Sequence, residues 1–323
     1  MILESVIVVT FAIFLDLIIG DPKNKYHPTS WIGIFIAKIV PIIKNKSPQK
    51  EKLGGIFLVF LITSVISALL FFLNFTIKSI LIEIVGIIVS IIVGIVLLKT
   101  TIAIRGMEKH ALSVMDSIEK NDLEEARNNL SKIVKRNTTN LDKNHILSGT
   151  LESISENTVD GVTGPLFYFA FFGIIGAFVY RIVNTIDSMI GYKTSFFKNV
   201  GWFGANCDKI LNYLPARITG LLMVLSAMIL GNDWKNSYQV IKQDAKNTES
   251  PNAGYPMAAL AGALGTRFEK IDHYCIGEGN IELTKSHLLS AISLMKITSI
   301  LFCVIFAIPI IIILSYLGWW IHA

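Results

Sequence analysis

Three apolar runs, Gly55–Phe75, Ile80–Leu98 and Ile297–Leu317, constrain this chain more than any other feature. A helix needs roughly 20 apolar residues to cross a bilayer core, and each run is long enough. Inside lipid the backbone must satisfy its own hydrogen bonds, so each run is expected to be helical. Pro309 can kink the last run without forbidding it. Val6–Ile19 is a fourth, shorter candidate. Glu4 stands where a secretory leader carries basic residues, and no small-residue cleavage site follows, so a retained span is expected. Asp16, near its end, is expected at the interface or against protein.

Composition points the same way. Hydrophobic residues make up 52% of the chain and charged residues 16%, and mean hydropathy is +0.58. A polytopic membrane protein is expected rather than two soluble domains. The net charge of +5 is modest and its lysines sit in loops, which a positive-inside bias explains better than a nucleic-acid partner. Cys207, Cys275 and Cys303 are far apart and form no CxxC pair, so reduced thiols are expected rather than a disulfide framework or zinc site.

The loop from Asp21 to Lys52 carries Lys23, Lys25, Lys38, Lys44, Lys46, Lys50 and Lys52. The segment from Lys99 to Lys143 is also basic, whereas only Lys78 lies in the link between the second and third spans. Both basic loops are therefore placed in the cytoplasm, with the N-terminus outside. Within the second, Ile102–Arg136 reads as a soluble helical hairpin. Leu123, Ala126, Leu130, Ile133 and Val134 recur on one face, and Asp122 followed by Glu125 resembles a capping box. A solvated helical pair packed on the membrane part, rather than a catalytic element, is expected here.

The middle is ambiguous. Pro165–Tyr180 is apolar but short, and Leu211–Leu230 is interrupted by Pro215 and Arg217. If both cross, Arg181–Lys209 lies outside; if only one crosses, the polar clusters are split between the two faces. Re-entrant or buried helices would keep them all on the cytoplasmic side, which is the preferred arrangement. The expected fold is all-α: a polytopic helical membrane protein with a cytoplasmic helical hairpin and re-entrant or broken helices around a polar site. Four regions are expected: 1–98 with membrane helices and a basic loop, 99–150 as the hairpin, 151–290 as the polar catalytic segment, and 291–323 as a last span.

Between Glu152 and Gly265 polar residues crowd next to apolar stretches, and such groups at membrane depth usually mark a site. Glu152, Glu156 and Asp160 recur every four residues and would form an acidic stripe on a helix, followed by Asn157 and Gly161-Val-Thr-Gly-Pro. Such carboxylates can hold Mg2+ or act as a general base; the bland alternative is a solvated helix start. Arg181, Asn184 and Ser188 share a helical face, with Asp187 to one side; an Arg181–Asp187 structural pair is the alternative to an anion clamp. Asn206, Asp208 and Arg217 repeat that chemistry. Ser250-Pro-Asn252-Ala-Gly254 is a turn whose backbone N–H groups can approach an anion. Gly20-Asp21-Pro22 and His27-Pro28 form a polar cuff after the first span. Phosphate loops of the GxxxxGK[ST] type, GxGxxG, HExxH and GxSxG are all missing.

Taken together, these motifs resemble the integral-membrane cobinamide or cobinamide-phosphate synthase family of cobalamin biosynthesis. The matching pieces are Asp16-Leu-Ile-Ile-Gly-Asp-Pro with His27-Pro28, Arg136-Asn-Thr-Thr-Asn-Leu141 and Glu152-Ser-Ile-Ser-Glu-Asn-Thr-Val-Asp-Gly161. Pro165-Leu-Phe-Tyr168, Asn184-Thr-Ile-Asp-Ser-Met-Ile-Gly-Tyr-Lys193, Asn212-Tyr-Leu-Pro-Ala-Arg217 and Ser250-Pro-Asn-Ala-Gly254 follow in order. Asn137 stands where the family pattern has Asp, and the portion after Phe268 matches only loosely, as variable scaffold.

The resemblance implies amide formation: aminopropanol or its O-phosphate joined to a propionate carboxylate of (adenosyl)cobyric acid. ATP and Mg2+ are the expected cosubstrate and ion, with no covalent cofactor. Glu156 and Asp160 are expected to hold Mg2+ or to deprotonate the amine. Arg181 and Arg217 would clamp phosphate or a corrin carboxylate, while Asn184, Asp187, Asn206 and Asp208 orient the groups. The Ser250–Gly254 turn would cradle a phosphate. The expected location is the cell membrane, multi-pass, with the site facing the cytoplasm and pathway enzymes as candidate partners on the basic loops. The rival class is a corrinoid-binding or transport component that makes no bonds; a purely structural subunit fits poorly with so many polar residues at depth.

Overall fold

The computed structural model describes residues 2–22, 24–80, 82–279 and 282–319, so Lys23 of the basic loop lies outside the described residues. The first four helices are α1 (Ile2–Ile19), α2 (Pro28–Ile43), α3 (Pro48–Ile80) and α4 (Glu83–Lys99). Next come α5 (Ile104–Glu119), α6 (Leu123–Ser131) and α7 (Lys143–Thr158), then a π turn over Val159–Thr163 and α8 (Gly164–Ile190). After these follow α9 (Trp202–Leu211), α10 (Tyr213–Ile229), α11 (Trp234–Asp244) and α12 (Gly254–Leu264). A hairpin of β1 (Phe268–Lys270) and β2 (Tyr274–Ile276) leads to α13 (Lys285–Leu301), a second π turn (Phe302–Ala307) and α14 (Ile308–Tyr316). Apart from that two-stranded hairpin the described chain is helical, as its patterning requires. Among the described residues five helical stretches are long and apolar enough to cross a membrane, or six if α9 and α10 count as one span.

The chain forms two compact units, each discontinuous in sequence. One comprises Met1–Ile102, Gly164–Leu211 and Cys303–Ala323; the other comprises Ala103–Thr163 and Asn212–Phe302.

In the first unit, Ile32, Ile36 and Val40 of α2 pack with Leu58, Val59 and Ile62 of α3 and Ile182, Val183 and Ile186 of α8. Gly55–Phe75 falls within α3, residues 83–98 of the next expected span form most of α4, residues 297–316 of the last lie in the α13–α14 stretch, and α1 supplies the fourth. Asp16 is fully buried against protein, as a carboxylate at this depth must be.

Within the ambiguous middle, α8 folds back on itself. At Gly173 the backbone takes φ 61°, ψ −155°, a region essentially reserved for glycine. A Cβ on Gly164 would lie 2.2 Å from the Tyr180 ring, although 16 residues of straight helix would separate them by about 24 Å. The Tyr168 and Tyr180 rings stack at 5.3 Å. The two arms of α8 therefore run antiparallel. Trp319 Nε1 donates to the Phe171 carbonyl at 2.8 Å, satisfying one acceptor that the break exposes.

Residues following α8 return to the α2–α3 corner. Lys44 Nζ donates to Phe196 O at 2.6 Å, and Asn199 Nδ2 donates to Glu51 at 3.1 Å. Residues 196–199 thus lie at the same end of the unit as the first basic loop. Replacing Gly173 by alanine is expected to cost about 1–3 kcal/mol of stability, because a Cβ is strained at this φ/ψ. Thermal unfolding in detergent reads this directly; an unchanged midpoint would contradict the fold-back.

In the second unit, α5 and α6 form the expected helical hairpin. Asp122 caps α6 by accepting from Glu125 N at 2.9 Å, and Ala126 and Leu130 are fully buried. Ile133 and Val134, part of the same periodic run, fall beyond the end of α6 and close a turn on Leu130 O. Glu108 ties α5 to α13 through Lys296 at 2.6 Å. Helix α7 lies at the centre, packed on α5, α12, α13 and β1. Thr163 and Thr219 share a hydrogen bond of 2.6 Å, which fixes the π turn to α10.

Candidate active site

The acidic stripe divides into two kinds of residue. Glu152 is buried and paired with Arg136. It also accepts from Ser148 Oγ at 2.8 Å and from the Tyr274 hydroxyl at 2.6 Å. Burial, reinforced by the Glu152 carboxylate, pushes the Tyr274 phenol far above its ordinary range, so it remains a donor at every working pH. With both oxygens engaged, Glu152 is structural. Its replacement by alanine strands Arg136 and is expected to cost about 3–5 kcal/mol; thermal unfolding of Glu152→Ala checks this, and a shift no larger than that of a surface Glu→Ala change would contradict it.

Glu156, Asn157 and Asp160 are instead half-buried and reachable. Asn157 Nδ2 donates to Ser153 O at 2.9 Å, which holds its side chain along α7. Asp160 falls in the π turn, so the regular four-residue stripe ends at Glu156. Such turns inside helices are frequent at functional sites. Glu156 lies within electrostatic reach of Asp160 and Glu152 as like charges, with Lys135 and Arg136 as the opposing ones.

Arg217 and the Ser250–Gly254 turn, 33 residues apart or more in sequence, come together in the same unit. Arg217 donates to Asn252 Oδ1 at 3.2 Å and to Tyr213 O at 2.6 Å. Its guanidinium lies 3.5 Å from the Tyr213 ring centre and 4.3 Å from that of Tyr255. Two aromatic faces thus hold the fork, leaving other N–H donors for a planar anion. The N–H groups of Asn252 and Ala253, expected to face an anion, point at Ser250 Oγ at 3.3 Å and 3.4 Å. The turn is closed by its own serine, and Gly254 opens α12.

The first unit holds a second chain of polar residues. Arg181 donates to Asn184 Oδ1 at 3.3 Å, and Asn184 Nδ2 donates to Asp208 Oδ1 at 3.2 Å. Asn184 is buried while Arg181 and Asp208 are half-buried, so the amide fixes two reachable charged groups. Asp187 and Ser188 are half-buried near the end of α8. Asn206 turns back on its own helix, donating to Trp202 O at 2.7 Å.

The N-terminal cuff is an ionic network in that same unit. Lys99 lies 3.4 Å from Asp16 and 3.3 Å from Asp21. His27 Nδ1 accepts from Thr29 N at 3.2 Å and so caps α2. Burial raises the affinity of Asp21 for a proton, but the His27 hydrogen bond and the Lys99 charge outweigh it and hold the carboxyl below its ordinary range. Asn137 Oδ1 accepts from Thr139 N at 3.0 Å, forming a local turn.

Sequence reasoning missed Tyr213, Tyr255, Tyr274 and Lys99. The i, i+4 spacing of Tyr213 and Arg217 was a usable signal. Tyr274 lay in the portion read as variable scaffold, and nothing local ties it to Glu152.

Among the described residues no group of three or more His, Cys, Asp or Glu side chains is placed to hold a metal. Glu156 and Asp160 are the half-buried carboxylates that could serve an Mg2+ ion, which commonly takes one or two carboxylates plus phosphate oxygens and water.

A family profile described as CobD/Cbib protein matches residues 9–311. The probable cobalamin biosynthesis protein CobD of Methanothermobacter thermautotrophicus is 39% identical over 300 residues, 93% of this chain and 96% of that one. The protein of the same name from Methanocaldococcus jannaschii is 37% identical over 318 residues, covering 98% of each chain. The cobalamin biosynthesis protein CobD of Leptospira interrogans is 38% identical over 304 residues, 91% of this chain and 94% of the relative. No solved structure matches. With its match spanning nearly the whole length, the chain belongs to the CobD/Cbib protein family.

Proposed function

We propose that this chain works in cobalamin biosynthesis as an amide-forming ligase. It joins aminopropanol, or its O-phosphate, to a propionate carboxylate of (adenosyl)cobyric acid at the expense of ATP. The observation that carries this reading is the Arg217 fork, held between Tyr213 and Tyr255 and aligned by Asn252. It is a preorganised clamp for a carboxylate or phosphate, in the same unit as Glu156 and Asp160.

A carboxylate and an amine at neutral pH form a salt, so the carboxylate must first be activated. Its oxygen attacks the γ-phosphorus of ATP and ADP leaves. The amine nitrogen then attacks the carbonyl carbon, phosphate departs with the former carboxylate oxygen, and the amine gives up a proton. Bound Mg2+ would screen the phosphate charges. Glu156 and Asp160 would hold that ion or accept the amine's proton. Arg217 fixes the anionic group; the Arg181–Asn184–Asp208 chain, in the first unit, is a separate polar cluster suited to an anion. Ser250 and Gly254 shape the turn that positions Asn252, and Asn157 supplies a further hydrogen bond, while Asp187, Ser188 and Asn206 belong to the first unit's polar cluster. The site faces the cytoplasm, following the basic loops.

Mass spectrometry of purified protein with cobyric acid, Mg2+, ATP and either amine tests the reaction. The expected result is a product whose mass identifies the amine and which is lost without ATP. Bound but unaltered corrinoid, with folded protein and either amine, would overturn the ligase reading in favour of a carrier.

A further inference from the structure

The first unit contains a cavity of about 200 Å³ that the proposed chemistry does not use. Its walls come from α1, α3, α4 and the tip of the α8 hairpin at Phe172 and Gly173. Since α3 and α4 are consecutive helices and α1 packs on α4, positions along the three can be compared. Glu4, Ser5 and Lys78 line the end remote from the Lys99 network, and Ser90, which donates to Asn74 Oδ1 at 3.4 Å, lines the middle. Val8, Leu70 and Leu97 line the other end, with Phe169 and Phe172 of the hairpin. From Leu70 to Lys78 the cavity extends about 12 Å along α3, close to one leaflet's share of a roughly 30 Å hydrocarbon core.

The cavity also opens sideways. Phe71 and Leu73 line it and are 54% and 42% exposed on a surface of other apolar side chains such as Phe72 and Leu69. Elongated shape, polar outer end, apolar inner end and a lateral opening together describe an amphiphile oriented like a lipid of that leaflet. We infer that this cavity binds one hydrocarbon chain of a membrane phospholipid, with the headgroup phosphate near Lys78. A chain of the surrounding leaflet enters without turning over, and its end rests against the Gly173 tip of the hairpin.

The test is native mass spectrometry of protein purified in mild detergent. Wild type is expected to retain about one phospholipid per chain. Ser90→Phe on α4 and Ser5→Phe on α1 fill the cavity from different walls and are expected to carry at least about fivefold less; Ser90→Ala keeps the wild-type level. Delipidated wild type is expected to regain thermal stability on adding phospholipid, saturating near one per chain. Wild type without retained lipid, either folded Phe variant with undiminished lipid, or add-back that never saturates would each overturn the inference.

Discussion

Replacing Arg217 by alanine is expected to lower kcat/KM for amide formation by roughly 10²–10³-fold, the usual scale for losing one preorganised electrostatic contact. The same loss is expected for Arg217→Lys, because an ammonium keeps the charge but neither the planar stack between Tyr213 and Tyr255 nor the fork. Steady-state kinetics of both variants, with thermal unfolding as the control for fold, check this. A lysine variant with near-normal kinetics would mean that Arg217 acts only as a point charge, and an active alanine variant would remove it from the site. Tyr255→Phe preserves the aromatic face and should leave most activity.

Asp160→Asn is expected to lose about 10²-fold or more in kcat, with the fold intact, since Asp160 is half-buried and sits in a turn whose backbone is secured elsewhere. Its Mg2+ requirement should shift to higher concentration if it holds the ion with Glu156, and Glu156→Gln should behave alike. A Mg2+ titration of activity separates this role from proton transfer, which leaves the requirement unchanged. Full activity of Asp160→Asn in folded protein would sink both assignments.

Much of the fold was legible because lipid imposes a simple rule on sequence. Gly55–Phe75 and Ile80–Leu98 could only be helices, and Asp122 announced the start of α6 by its side-chain chemistry. The α8 fold-back was anticipated only as one of several options. Hydropathy treats 164–190 as one run, whereas the reversal depends on a glycine-only conformation at Gly173 and on the space that Gly164 leaves for the Tyr180 ring. Neither leaves an apolarity signal. The site shows the same division. Arg181 and Asn184 were placed together by helical spacing and do meet. Asp208, which completes that chain, lies on α9 and its meeting with Asn184 is a tertiary event. Glu152 resembled its neighbours Glu156 and Asp160 by spacing alone, and only the partners Arg136 and Tyr274 set it apart.

The claim that this chain activates a carboxylate for amide formation is tested most directly by oxygen transfer. Cobyric acid carrying 18O in its free carboxylate is incubated with ATP, Mg2+ and the amine, and the released phosphate is examined by mass spectrometry. The account predicts one 18O in inorganic phosphate for each amide formed. Label recovered in AMP, or amide formed with unlabelled phosphate, would contradict carboxylate activation by γ-phosphoryl transfer, and no amide at all would contradict the ligase.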